Sequence, residues 1–310
     1  MLNIQKIKWQ IGVDEVGRGC VAGPVCVGIV AIPISSGIYT SRFLQQLEEE
    51  GVKASGSEIS QPLNQQNIQS NTTNQFGNIS GNKFWNKLRD SKKTKPEYRR
   101  QVFAQVEEIC GLYQILQASN QLVDKYGIAV CIRHLMFLGL EILALKNPEL
   151  KSSLLFLDGT LKLISYYDLD LLHLIFDENI DEMNRVNIDK NYLISKLQQQ
   201  KSDENTAKNI FQFLPLSNFQ AFKLQKYQNG LEEFKVVEEN FADDKFLSVA
   251  LASYLAKHFR DEAMIKYSTS YPEYLWHKNM GYGTAQHMEA IKKYGLTNIH
   301  RFSFLKRYLP

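Results

Sequence analysis

Short apolar segments typical of β-strands alternate with helix-like segments along much of this chain, and this alternation limits the folds open to it. The strand-like segments are 7–13, 25–32, 111–117, 153–157 and 234–237. The helix-like segments are 96–108, 124–146, 246–264 and 285–294. Strands that come first and are then followed by strands alternating with helices are typical of an α/β domain. We therefore predict one α/β domain over residues 1–310, since 44% hydrophobic residues suffice for a buried core.

Two segments interrupt this pattern and are predicted to be insertions. The first, 35–83, contains a stretch at 59–82 that has no charged side chain and is rich in Gln and Asn. Such a stretch buries too little apolar surface to offset its ordering entropy, so we expect it to be disordered. The second insertion, 163–230, begins with an acidic part, and its apolar residues allow some of it to fold.

The overall charge and the cysteines favour a soluble intracellular protein that can bind nucleic acid. A net charge of +3 permits a nucleic-acid partner without requiring one. The four cysteines, Cys20, Cys26, Cys110 and Cys131, form no C-x-x-C pair and are expected to be free, buried thiols. The first ten residues lack the apolar core of a signal peptide, and 21–34 is too interrupted to span a membrane. We expect a cytoplasmic protein with no membrane contact.

A glycine-punctuated turn after the first predicted strand holds two acidic residues. Asp14 and Glu15 are followed by Gly17, Arg18 and Gly19. Neighbouring side chains on a strand point to opposite faces, so the two acids share a site only if the strand ends between them. The glycines allow backbone amides to approach a ligand, and a forked arginine suits a phosphate. An exposed turn with two solvated acids is the alternative.

Acidic residues also occur at two other predicted element boundaries. Asp158 ends the apolar strand 153–157, and Asp243 and Asp244 precede the helix that begins near residue 246. An aspartate at the end of a strand commonly starts a turn, and an aspartate before a helix commonly caps its N-terminus. Together, however, these acids suit hard divalent ions, which prefer oxygen ligands and need several carboxylates. No His/Cys cluster indicates zinc.

The chain resembles the ribonuclease HII family in six stretches that occur in the family's order. They are GVDEVGRG at 12–19 running into AGPV at 22–25, DSKK at 90–93, LDG at 157–159, ADDKF at 242–246 running into ASYLAK at 252–257, GYGT at 281–284, and HRFSF at 300–304. The resemblance implies an RNase H-like fold, with a mixed central sheet flanked by helices and a C-terminal helical part.

The resemblance also implies roles for individual residues. The four metal-binding, catalytic acids fall at Asp14, Glu15, Asp158 and Asp243, where Asp243 is preferred to Asp244. The substrate contacts implied by the resemblance comprise the sugar-reading loop, a sugar-packing tyrosine and backbone-phosphate contacts: Gly17, Arg18, Gly19, Ser91, Lys92, Lys257, Tyr282 and His300. A solvated surface role is the alternative for the last group. The implied cofactor is Mg²⁺ or Mn²⁺.

The activity implied by the resemblance is hydrolysis of the RNA strand in an RNA–DNA hybrid, or a cut on the 5′ side of a ribonucleotide in duplex DNA. Two ions are expected to activate a water and to stabilise the leaving 3′-oxygen, and the protein is expected to be a monomer. The sister type, ribonuclease HIII, is the nearest rival, and we expect no room for its extra N-terminal domain. A non-catalytic duplex-binding protein is a rival of a different class, and a scaffold centred on the Gln/Asn-rich insertion is a third.

The acidic start of the second insertion would repel DNA if it lay along the binding groove. We therefore expect this insertion to project away from the groove, and deletion of 165–228 to leave cleavage largely intact.

Overall fold

A five-stranded mixed sheet forms the centre of the protein. The computed structural model describes residues 8–34, 97, 101–103, 106, 112–151, 153–158, 168–181, 188–195 and 235–308. The strands are β1 (Trp9–Val16), β2 (Val25–Pro33), β3 (Tyr113–Ala118), β4 (Ser153–Asp158) and β5 (Lys235–Glu239). Their order in the sheet is β3-β2-β1-β4-β5, with antiparallel pairing among the first three and parallel pairing of β4 with β1 and β5.

Helices cover both faces of the sheet, so the predicted fold class is confirmed. They are α1 (Asn120–Tyr126), α2 (Ile128–Lys146), α3 (Leu169–Glu178), α4 (Ala242–Lys245), α5 (Leu247–Ser270), α6 (Trp276–Asn279), α7 (Ala285–Tyr294) and α8 (Phe302–Leu305). Side chains alternate between faces along a strand. Accordingly Ile11 and Val13 of β1 pack in one core with α2, whereas Gly12 faces α5. The helices α5 to α8 form the expected C-terminal helical part.

Helix α5 crosses the sheet at backbone contact distance because two glycines lie beneath it. A Cβ atom on Gly12 would lie 2.1 Å from the carbonyl carbon of Ser248. A Cβ atom on Gly28, which pairs with Asp14, would lie 2.2 Å from the carbonyl oxygen of Ala252. Any side chain at these two positions would push the helix away from the strand that carries Asp14.

The helix predicted over 124–146 is in fact two helices. Gly127 has φ 85° and ends α1, and α2 begins at the next residue. The Ser119 side chain caps the first of them by accepting a hydrogen bond from the N–H of Leu122 (3.2 Å). Apolar residues continue across Gly127, which is why the sequence pattern alone indicates one helix.

Helix α2 is also the one described helix with the length and apolar composition of a membrane span. The sequence analysis considered 21–34 for this role and did not consider α2. About two thirds of its most apolar window is buried inside the protein, against β2 and β3. Core helices of water-soluble proteins share these properties, so this is weak evidence for a membrane segment.

The second predicted insertion contributes to the main core, which corrects the deletion hypothesis. Leu171, Leu172, Ile175 and Phe176 of α3 are fully buried in the same core as β1 and α2. Removal of 165–228 would therefore remove part of the core. The first insertion and residues 196–230 lie outside the described residues, so their predicted disorder or folding stays a prediction.

The residues that follow α3 are hydrogen-bonded to the end of β3. Asn179, directly after α3, accepts a hydrogen bond from the N–H of Gln117 (2.9 Å), and Glu178 accepts one from the N–H of Ser119 (2.8 Å). Both contacts are at the end of β3, and β2 and β1 separate β3 from β4.

Two leucines of α3 test whether this helix belongs to the core. Leu172 is fully buried and Leu174 is 38% exposed. We expect Leu172→Ala to lower the free energy of unfolding by about 3 kcal/mol because it leaves a cavity, and Leu174→Ala to lower it by less than about 1 kcal/mol. Urea denaturation of both variants measures this. Equal, small losses would show that α3 is not part of the core.

Candidate active site

The parallel pairing of β1 with β4 brings the ends of two acid-bearing strands together. The last paired residues are Val13 and Leu157, so Asp14 and Asp158 occupy the next position on neighbouring strands. Residues that occupy matching positions on adjacent strands project to the same face of the sheet. The sheet thus places these two carboxyl groups side by side.

Helix α4 brings a third acid to the same end of the sheet. The N–H of Ala242, the first residue of α4, donates a hydrogen bond to Oδ1 of Asp158 (2.8 Å). Asp243 is the next residue and is half-buried, whereas Asp244 is exposed. This burial favours Asp243 over Asp244 as a site residue, which stays a prediction.

The carboxyl group of Asp14 is partly removed from water and lies near like charges. Desolvation raises its pKa well above the usual value, and the charges of Glu15 and Asp158 raise it further. Hydrogen bonds from Ser253 of α5 and from the N–H of Glu15 (2.8 Å) act in the opposite direction. A carboxylate that is desolvated beside two others is stabilised by a cation.

The strand end that a shared site for Asp14 and Glu15 was predicted to need is absent, because β1 does not end between these two residues. The strand continues to Val16, and Glu15 pairs with Val27 of β2. Its carboxylate lies 3.7 Å from the guanidinium of Arg18. Glu15 nevertheless remains near enough to raise the pKa of Asp14.

The residues at this end of the sheet fit a hard divalent ion by their chemistry. All the predicted ligands are carboxylates, which Mg²⁺ and Mn²⁺ accept as oxygen donors. Within the part of the chain that the structure describes, no three Asp, Glu, His or Cys side chains are already arranged to hold an ion.

The glycine-rich loop adjoins these acids, and buried arginines hold it. Gly17 has φ 94°, a conformation that glycine tolerates at low cost. Arg301 donates to the carbonyl oxygen of Gly17 (2.7 Å), and Arg260 donates to that of Pro24 (2.9 Å). Neither arginine was predicted as a functional residue, although Arg301 lies within the HRFSF stretch at 300–304.

The segment that carries Tyr282 is hydrogen-bonded to the residues that follow this loop, and its predicted contact with the substrate stays a prediction. The carbonyl oxygen of Gly281 accepts hydrogen bonds from the N–H groups of Val21 (2.9 Å) and Ala22 (3.2 Å). The Tyr282 side chain is 39% exposed. Desolvation and the neighbouring Cys20 raise the pKa of its hydroxyl. A partly exposed ring is thus held beside Cys20, the residue that follows Gly17–Gly19.

Two of the predicted phosphate contacts, Lys257 and His300, have internal side chains. Lys257 is buried and forms an ion pair with Asp261 on the next turn of α5 (2.5 Å). His300 is fully buried. Neither presents an exposed donor to a phosphate. Ser91 and Lys92 lie outside the described residues.

His300 belongs to a buried network that ends at the backbone of Tyr282. The N–H of Thr297 donates to Nδ1 of His300 (2.9 Å), and Nε1 of Trp276 donates to Nε2 of His287 (3.0 Å). Nε2 of His300 lies 3.2 Å from this Nε2 of His287, whose lone pair the indole N–H occupies, and Nδ1 of His287 donates to the carbonyl oxygen of Tyr282 (2.9 Å). Burial, together with the neighbouring His287, lowers the pKa of His300 to about 4.

Comparisons with known proteins point to one family. The family model described as Ribonuclease HII matches residues 86–307, which is more than half of the chain. The ribonuclease HII of Prochlorococcus marinus (strain MIT 9215) is 28% identical over 298 residues, covering 96% of this chain and 90% of that protein.

Further relatives match over shorter segments. The ribonuclease HII of Clostridium novyi (strain NT) is 61% identical over 67 residues, which is 22% of this chain and 25% of that protein. The chain thus spans a quarter of this relative and 33% of the ribonuclease HII of Rickettsia bellii (strain OSU 85-389). Among solved structures, the PCNA:RNase HII complex from Archaeoglobus fulgidus has a TM-score of 0.47 at 17% identity, covering 97% of this chain and 95% of that one.

Asp14 is expected to destabilise the metal-free protein at neutral pH. Its pKa is raised on folding, so ionisation above pH 4 costs more in the folded than in the unfolded state. Asp14→Asn should therefore raise the melting temperature in EDTA at pH 7, and this gain should shrink as the pH falls below the raised folded pKa and be absent below about pH 4, the unfolded pKa. Calorimetry with Asp244→Asn as the exposed control measures the effect. A lower melting temperature for Asp14→Asn at pH 7 would contradict it.

His300 is expected to make stability depend on pH in the opposite sense. Its folded pKa of about 4 lies below the unfolded value, so its contribution is complete above about pH 6.5 and is lost as the pH falls toward 4. We expect His300→Gln to be less stable at pH 7 but to lose less stability between pH 7 and 4.5. Denaturant titrations across that range test this, and an unchanged slope would rule out a buried neutral His300.

Proposed function

Since this chain belongs to the ribonuclease HII family, we propose that it is an endonuclease that hydrolyses the RNA strand of RNA–DNA hybrids and cuts on the 5′ side of ribonucleotides embedded in duplex DNA. The observation that carries this proposal is the placement of Asp14 beside Asp158, with Asp243 on the adjoining helix and the Gly17–Gly19 loop next to them. The products would carry 3′-hydroxyl and 5′-phosphate ends.

The proposed cofactor is a pair of divalent ions, Mg²⁺ or Mn²⁺, held by Asp14, Glu15, Asp158 and Asp243. When bound, these ions lower the pKa of a water and stabilise charge on the leaving oxygen. The N–H of Glu15 and the Ser253 side chain orient the Asp14 carboxylate. The N–H of Ala242 orients that of Asp158 and ties α4 to the end of β4.

The proposed substrate contacts lie on the neighbouring loop. Arg18 is exposed and its guanidinium suits a phosphate of the substrate strand. The backbone of Gly17–Gly19 would contact the 2′-hydroxyl, which distinguishes RNA from DNA. The ring of Tyr282 would pack on the sugar that follows the ribonucleotide. Cytoplasmic location and a monomeric state stay predictions from the sequence.

Cleavage of a defined duplex tests the proposal. We expect metal-dependent cleavage of a DNA duplex with one ribonucleotide, with the cut mapped to its 5′ side on a sequencing gel. Asp14→Asn and Asp243→Asn should each reduce the rate by at least about a thousandfold because each removes a metal ligand, a loss of about 4 kcal/mol of transition-state stabilisation.

Asp244→Asn is the matched control, since it removes the exposed acid next to Asp243. Its cleavage rate should lie within about threefold of the rate of the unmodified protein. Binding of the duplex without any metal-dependent cleavage would instead favour the non-catalytic alternative.

A further inference from the structure

Two arginine side chains are fully buried beneath the loop that follows β1. They are Arg260 of α5 and Arg301, which directly precedes α8. Among the residues that the structure describes, neither forms an ion pair with an acid. A buried guanidinium is costly unless its N–H groups find acceptors, so the acceptors of these two side chains reveal what they hold in place.

Arg301 donates only to main-chain carbonyl oxygens of the loop. From Nη1 it donates to Gly17 (2.7 Å), Cys20 (2.9 Å) and, at longer range, Arg18 (3.3 Å). From Nε it donates to Gly23 (2.9 Å). One planar side chain thus contacts four peptide carbonyl groups between Gly17 and Gly23.

Arg260 holds the second half of the loop and joins it to the Tyr282 segment. It donates to the carbonyl oxygens of Pro24 (2.9 Å), Ala22 (3.1 Å) and Met280 (2.8 Å). A Cβ atom on Gly17 would lie 2.2 Å from Nε of Arg260. Gly17 is therefore required both for its positive φ and for room for this guanidinium.

The direction of the carbonyl groups determines the direction of the amides. In a trans peptide group the C=O and the following N–H point in opposite directions. With the carbonyls of Gly17 and Arg18 directed at Arg301, the N–H groups of Arg18 and Gly19 point away from it. Within the described part of the chain, neither of these N–H groups has an acceptor.

The space in front of these amides is open. Arg18 and Gly19 are exposed, and a Cβ atom built on Gly19 meets nothing within 4 Å. A hydroxyl oxygen of a ligand can therefore approach both N–H groups without displacing a side chain.

We propose that Arg301 and Arg260 are positioning residues that set the preference for ribonucleotides. They turn the loop carbonyls inward, so that the N–H groups of Arg18 and Gly19 face the substrate and donate to the 2′-hydroxyl oxygen. A deoxyribonucleotide offers no such oxygen. This inference rests on the proposed function, because it assigns a cause to the reading of the sugar.

Arg301→Lys in an Asp14→Asn background tests the inference without cleavage. Lysine keeps the charge but lacks the planar fork that holds several carbonyls at once. We expect the Kd for a duplex with one ribonucleotide to rise about tenfold. The Kd for the all-deoxy duplex should change less than about twofold, because phosphate contacts dominate that affinity. Fluorescence anisotropy gives both constants, and Arg260→Lys should have the same effect.

Tyr274→Phe is the matched control for a purely structural effect. It removes a hydrogen bond to the carbonyl oxygen of Gly295 (2.8 Å) in the same C-terminal helical part, without touching the loop. It should lower the melting temperature and leave the ratio of the two dissociation constants unchanged. A folded Arg301→Lys protein with the same ratio as its Asp14→Asn parent would overturn the inference.

The outcomes separate this inference from the proposed function. Suppose that the unmodified protein cleaves at the ribonucleotide, and that Arg301→Lys leaves the ratio of the two dissociation constants unchanged. The inference then fails and the proposed function stands. If the unmodified protein neither cleaves nor prefers the ribonucleotide duplex, the proposed function fails and the inference fails with it.

If neither Arg301→Lys nor Arg260→Lys folds, a measurement on the protein with both arginines intact tests the inference. In ¹⁵N-labelled Asp14→Asn protein at saturation, the amide resonances of Arg18 and Gly19 should move clearly further with the ribonucleotide duplex than with the all-deoxy duplex. Equal movement with both duplexes would overturn the inference.

Discussion

The parallel pairing of β1 with β4 is the interaction on which the site depends. It places Asp14 and Asp158 next to each other at the end of the sheet, where burial and the charges of neighbouring acids disfavour the charged form of Asp14. Such an arrangement opposes folding unless a cation or a proton neutralises it. The buried Asp14 carboxylate thus lowers the local stability of the metal-free sheet, and the surrounding apolar core on both faces supplies the compensating stability.

Helix α5 connects the acids with the loop beside them. Its Ser253 interacts with Asp14, and two turns further along Arg260 holds the carbonyl groups of the loop. Gly12 and Gly28 let this helix lie directly on the strands, so its position is fixed by backbone contact rather than by flexible side chains. A shift of α5 would therefore disturb the acids and the proposed sugar-reading loop together.

Much of the fold could be predicted from the sequence because local patterns determine it. The apolar strands and their acidic ends indicated the sheet and the positions of Asp14 and Asp158, and α7 was predicted with its observed limits. The contribution of α3 to the main core was not predicted, because the acidic composition of its segment suggested a surface location, whereas one apolar face of the helix is fully buried.

The burial of polar residues was the second feature that could not be predicted from the sequence. His300 and Lys257 were predicted to be phosphate contacts, but a polar side chain is buried when distant parts of the chain supply its partners. Arg301 illustrates this, since its acceptor Gly17 lies 284 positions away in the chain. No local periodicity encodes such a contact, and only the six-stretch resemblance drew attention to that segment.

The central claim is that Asp14 and Asp158 share a divalent ion, and a double-mutant cycle on Mn²⁺ affinity tests it most directly. Isothermal titration would compare the unmodified protein with Asp14→Asn, Asp158→Asn and the double variant. Ligands of one ion act as a unit, so we predict that each single change weakens binding at least about tenfold and that the double change weakens it little more than either alone. Absence of Mn²⁺ binding to the unmodified protein, or losses that multiply independently, would contradict the account.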